Sequence, residues 1–178
     1  MAGAGMKAIK TRIASVNSTK QITNAMHLVA SSKLRKAKKA AEDSSEYFNT
    51  LYETIVDISI NTKGVRSEFL VSKELKKRCH IVIAGDRGLA GGYNSNAFKE
   101  AEKYMGRVED CVIPIGKKAC DYFAKRNIEI IDKIDLVEEY SYEDVKRIAD
   151  EVMKRFIDGE ISEVLLTYTQ FISALTQE

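Results

Sequence analysis

An α/β fold is what this sequence predicts: one long, protruding N-terminal coiled-coil helix, then a domain built on a mostly parallel sheet. Three observations lead there. No glycine lies between Gly5 and Gly64, and Pro114 is the only proline. Within that stretch apolar residues recur at alternating steps of four and three. Beyond Gly64, short β-branched runs alternate with helical stretches.

Nothing in residues 6–63 breaks a helix through backbone chemistry. Stepping from Ile9 gives Ile13, Val16, Lys20, Thr23, His27, Ala30, Leu34, Ala37, Ala41, Ser44, Phe48, Leu51, Ile55 and Ile58, and 11 of these 15 positions are apolar. A seam sustained this long is a coiled-coil signal. Ser15, Asn17, Thr19, Thr23, Asn24, Ser31 and Ser32 are mediocre helix formers, so the helix needs a partner. Lys20, Thr23 and His27 interrupt the seam where Ile22, Ala25, Met26, Leu28 and Val29 appear beside it. A helix apolar nearly all round over two turns is expected inside a sleeve of protein.

The second part, residues 64–178, reads as strands near 80–84, 111–115, 128–131 and 164–168. Helices fall near 96–105, 117–126 and 142–158, with Gly159 as a C-terminal cap. The alternation implies a Rossmann-like parallel sheet covered by helices. Pro114 predicts that its strand lies at an edge, or that its missing N–H faces no ladder partner.

Charge is distributed unevenly. The 178 residues carry a net +2, but residues 1–41 hold nine Lys and Arg and no acid, leaving 19 basic and all 26 acidic residues for the rest. A basic element meeting an acidic partner is the expectation. Lys33, Arg35, Lys36, Lys38 and Lys39 make the densest run; nucleic acid is the alternative partner. Against it, no aromatic residue occurs in the first 46 positions to provide a stacking platform.

The candidate chemistry is sparse. Cys79, Cys111 and Cys120 form no close pair and His27 and His80 are far apart, so no metal site is expected; unpaired thiols fit a reducing compartment. GDRGLAGG at 85–92 follows a strand and precedes a helix, yet Arg87 and Ala90 occupy the dinucleotide fingerprint's glycine positions, and Tyr93 follows where a P-loop needs Lys. Its glycines are expected to serve a tight turn with positive φ. Asp86 lacks the acidic cluster of a phospho-acceptor site, and no nucleophile has a serving histidine. No catalytic residue and no cofactor is assigned; a small nucleotide-binding enzyme is the weakest reading. The acid-free N-terminus has the composition of a transit peptide but continues unbroken into the helix, and is read as mature protein.

Three stretches then coincide with a known family. IKTRIASV at 9–16 with TKQITNAMHLVASSKLRKA at 19–37, DRGLAGGYN at 86–94 and FISALTQ at 171–177 closely resemble, in order and spacing, the gamma-subunit family of rotary F-type ATP synthases. The resemblance implies a central rotor shaft without an active site of its own, coupling ion-driven rotation to conformational change at the catalytic beta subunits. It implies as partners the alpha and beta subunits of the head, the epsilon subunit and the membrane rotor ring. The place implied is the cytoplasmic face of a bacterial plasma membrane. It also implies a C-terminal helix pairing antiparallel with the first, beyond Glu178, so the chain is expected to be part of a longer subunit. Motif alignment puts partner contacts at Lys20, Ile22, Met26, Val29, Lys33, Arg35 and Lys36. Ala90 stands where many relatives have cysteine, and the chloroplast-type cysteine insertion is absent, so thiol control is not expected.

Overall fold

A computed structural model describes residues 2–61, 67–70, 73–106 and 108–173, with the backbone alone for 2–4 and 70. The chain divides into two compact units, Met1–Val65 and Arg66–Glu178. The boundary expected between 63 and 64 lies outside the described residues, as does the end of the third family stretch.

The first unit is a single helix, α1 (Ala2–Asn61), 60 residues long. At 1.5 Å per residue it spans roughly 90 Å. Several of its poor helix formers turn their hydroxyls back onto the helix. Thr11, Thr19, Thr23, Thr50 and Thr54 each donate to the carbonyl four residues earlier, at 2.7–3.1 Å. This satisfies the side chain locally and stiffens nothing, since such bonds compete mildly with the helix ladder.

The second unit begins with a 3₁₀ turn (Glu68–Leu70). It then alternates β1 (Lys77–Ile83), α2 (Tyr93–Glu102), β2 (Glu109–Ile115), α3 (Lys117–Phe123), β3 (Glu129–Ile130), α4 (Tyr142–Ile157) and β4 (Glu163–Thr167). All pairings are parallel and the strand order is β3-β2-β1-β4. Alternation along β1 divides the core into two layers. Val82 packs with Val112, Ala84, Phe98, Ala101, Ala119 and Phe123 on the α2/α3 side. Cys79 packs with Cys111, Ile113, Ile134, Ile148, Val152 and Ile161 on the α4 side. Helix α4 carries its own stop and start signals. Ser141 and Asp144 form a reciprocal capping box, and Gly159, at φ 76°, accommodates the left-handed residue after the last turn.

Pro114 corrects half of its expectation. Its strand, β2, is interior, between β1 and β3. The missing N–H is nonetheless harmless. The Pro114 carbonyl accepts from Ile134 on the β3 side, at 3.1 Å, and the two residues of β3 pair only with Cys111 and Val112. A residue's N–H and C=O point to the same side in a parallel strand, so Pro114 lacks a donor only where β3 has already ended. The next bridge joins Ile115 to Ile134.

Candidate functional site

Two places can carry function: one face of α1 and the loop after β1. On α1, Ile22, Met26, Val29, Lys33 and Lys36 follow steps of four, three, four and three and share one face. The apolar members are more than half exposed: Ile22 at 58%, Met26 at 54% and Val29 at 56%. At 3.6 residues per turn this face lies roughly 110° around the axis from the seam through Thr23, His27, Ala30 and Leu34. Lys20 belongs to the seam, and Arg35 points to a third side. The helix therefore brings together five of the seven expected contact residues and separates two. Lys38 is partly neutralised by Glu42, at 3.5 Å on the next turn.

Residues 85–92 close the C-terminal end of β1, and several polar groups there are used internally. The Gly85 amide donates to Asn94 Oδ1 at 2.8 Å, and Asn94 Nδ2 donates to the Arg87 carbonyl at 3.3 Å. The Lys118 amide donates to the Gly85 carbonyl at 3.1 Å, and that of Tyr93 to the Ala90 carbonyl at 3.2 Å. The Asn96 side chain lies against Gly92 at the start of α2. The loop's carbonyls at Gly85, Arg87 and Ala90 and the amide of Gly85 are thus engaged within the fold.

Asp86 is the anchor. Its carboxylate accepts from the main-chain amides of Lys117 and Val137, both at 3.1 Å, and Glu138, at 3.3 Å. Partial burial opposes its ionisation. The amides of Val137, Lys117 and Glu138 outweigh that, with a lesser pull from Arg87, and hold the carboxyl below the ordinary aspartate value. The strand-end aspartate thus ties its own loop to the chain at Lys117 and at Val137 and Glu138.

The expected positive-φ turn is present but differently built. Of the loop's glycines only Gly91 is left-handed, at φ 56°, and the other left-handed residue is Leu89, at φ 62°. For a residue with a Cβ this region costs roughly 1–2 kcal/mol. Leu89 is also 98% exposed. The exposed Arg87 beside it forms no salt bridge with a described residue. Reading by residue type missed Leu89, because nothing in its side chain announces a left-handed backbone. Asp86 offered a faint signal: a carboxylate at a strand end with no acidic neighbour needs main-chain donors.

These geometries accompany a clear relationship. The family model described as ATP synthase matches residues 5–178. The chain belongs to the ATP synthase family. It is 42% identical over 178 residues to the ATP synthase gamma chain of Alkaliphilus metalliredigens, covering 99% of this chain and 62% of that one. It is 44% identical to the gamma chain of Ruminococcus albus, covering 98% and 63%. To the "ATP synthase gamma chain, sodium ion specific" of Acetobacterium woodii it is 41% identical, covering 95% and 57%. The chain thus spans about three fifths of the length of these relatives. Among the described residues no helix is long and apolar enough to cross a membrane.

Proposed function

We propose that this chain is the shaft-and-foot part of the central rotor subunit of an F-type ATP synthase, with residues 1–63 in the shaft and 64–178 in the foot. Its work is coupling of ion-driven rotation to ATP synthesis. The observation that carries this reading is the family match along residues 5–178, with gamma chains as the relatives. The 60-residue α1 supports it, because it offers two separate apolar faces on one rod.

The mechanism needs no catalytic side chain. An asymmetric rod that touches each beta subunit differently lowers the free energy of one conformation relative to another, and turning the rod moves that bias from site to site. The face of Ile22, Met26, Val29, Lys33 and Lys36 bears against the head, with the cations meeting acidic groups of the beta subunits. The seam through Ile9, Ile13, Leu34, Phe48 and Ile55 takes the antiparallel C-terminal helix as a coiled coil, with Lys20 as one of its polar positions. The foot meets the epsilon subunit and the membrane ring at the cytoplasmic face of the membrane, where the complex also moves ions.

The test is affinity capture of the tagged subunit from its native host, with mass spectrometry and an ATPase assay on the eluate. Recovery of alpha, beta and epsilon subunits with ATPase activity is expected. An eluate of nucleic acid without those subunits would overturn the reading.

A further inference from the structure

Cys79 and Cys111 are far apart in the sequence, with 31 residues between them, yet the sheet sets them side by side. Parallel register places Glu129, Cys111, Cys79 and Val164 in one row across β3, β2, β1 and β4. Both cysteines are fully buried in the layer beneath α4, so their thiols leave the sheet on the same face. Adjacent strands lie roughly 4.8 Å apart, within the roughly 4.4–6.8 Å between Cα atoms that a disulfide spans. The two thiols are within hydrogen-bonding reach of each other, and that of Cys111 also reaches the Arg78 carbonyl at 3.5 Å.

A buried cysteine is ordinarily a small apolar side chain. This pair differs in having a charged cover. Lys77 donates to Glu129 at 2.6 Å, and β2 lies between the strands that carry them, so the ion pair crosses over β2 beside Cys111. Arg155 adds a second cation from α4, held by Glu151 and Glu160, both at 2.6 Å. The hydrogen bond from Cys79, with Lys77 and Arg155, outweighs burial and Glu129 and holds the Cys111 thiol below its ordinary value. Burial pushes Cys120 the other way, up to about 11.

We propose that Cys79 and Cys111 are a reversible oxidation site, a dithiol that a hydroperoxide converts into a disulfide between β1 and β2. The Cys111 thiolate attacks the peroxide: an S–O bond forms, the O–O bond breaks, and the leaving hydroxide takes up a proton as water. The Cys79 sulfur then attacks the sulfenic sulfur: the S–S bond forms, the S–O bond breaks, and the released hydroxide carries off the Cys79 proton as a second water. Two thiols are oxidised and one peroxide is reduced to two waters. The partly exposed ion pairs of the cover are individually weak, which makes that rim the entrance for a small peroxide. The expectation of no thiol control concerned Ala90 and an absent insertion, and the pair lies at neither. Nothing in this chemistry requires the rotor reading.

The tagged subunit captured from its host, its folding checked by a thermal melt, is treated with hydrogen peroxide, alkylated and digested with trypsin without reduction. Cys79, Cys111 and Cys120 fall in separate peptides, 79–87, 108–117 and 119–125. A link between 79–87 and 108–117 is expected, with Cys120 left open to alkylation and the link lost on treatment with dithiothreitol. Cys120→Ala should give the same link, whereas Cys79→Ala should leave Cys111 as a sulfenic or sulfinic acid. Absence of any link in the folded wild type would overturn the proposal. Comparable links to 119–125 would overturn it too, since they mark thiols pairing in an unfolded chain.

Discussion

Gly116 passes so close to Ala84 that a Cβ added at Gly116 would stand 2.1 Å from the Ala84 carbonyl oxygen. The same glycine sits at φ 96°, outside the range that other residues adopt readily. Both strands end there: the Ala84 amide donates to the Ile115 carbonyl at 2.9 Å, and the Gly116 amide to the Ile134 carbonyl at 2.8 Å. Gly116→Ala therefore meets backbone on one side and conformational strain on the other. It is expected to cost about 3 kcal/mol or more, the range of mutations with a named steric cause. A thermal melt reads this directly, and an unchanged midpoint would refute it.

Asp86 predicts an acid-labile foot. A carboxyl that ionises more readily in the folded chain than in the unfolded one stabilises the fold above about pH 4 and ceases to as the pH falls through its depressed folded value. Asp86→Asn removes the charge on which three amides converge. Its expected cost at neutral pH is about 2 kcal/mol. The difference between variant and wild type should shrink as the pH falls below about 4, which denaturant titrations across pH 2–7 would show.

Met26→Lys places a cation in the apolar part of the proposed head-facing surface. Because Met26 is already more than half exposed on its helix, the melting temperature of the free chain should move little. Coupling between ATP hydrolysis and ion pumping in the assembled complex should fall clearly. Normal pumping per ATP hydrolysed would remove Met26 from the contact.

The division of α1 into faces predicts a contrast between neighbours. Lys36 shares the face of Met26 and Val29, and Arg35 does not. Lys36→Glu is expected to slow association with the head several-fold, and most at low salt, whereas Arg35→Glu should have a smaller effect. Equal effects from the two reversals would show that only net charge matters.

What could be read from the sequence depended on how far apart the cooperating residues lie. Helix α1 was legible because its cause is local: no glycine or proline interrupts residues 6–63. The strand centres at Val82, Val112 and Ile113, the capping glycine Gly159 and the parallel alternation were legible for the same reason, although β1 begins at Lys77, earlier than the expected 80. Asp86 was not, since its donors lie 31 to 52 residues downstream. Gly116 was not either, because its obstacle is a carbonyl on another strand. The split among contact residues could have been found by converting Lys20, Met26 and Arg35 into angles; the motif gave them only as neighbours in a string.

The vacancy that Pro114 leaves beside β3 has a consequence for phase. Cys111 and Val112 face Glu129 and Ile130, an offset of 18 residues, whereas Ile115 faces Ile134, an offset of 19. The chain gains one residue while crossing the proline, as in a bulge. Without that gain, Lys133 would stand opposite Ile115 and carry its ammonium towards the layer beneath α4. With it, Ile131 and Ile134, an odd three positions apart, both reach that layer. A ring that cannot donate thus keeps a lysine out of the interior, by letting its neighbour lose count.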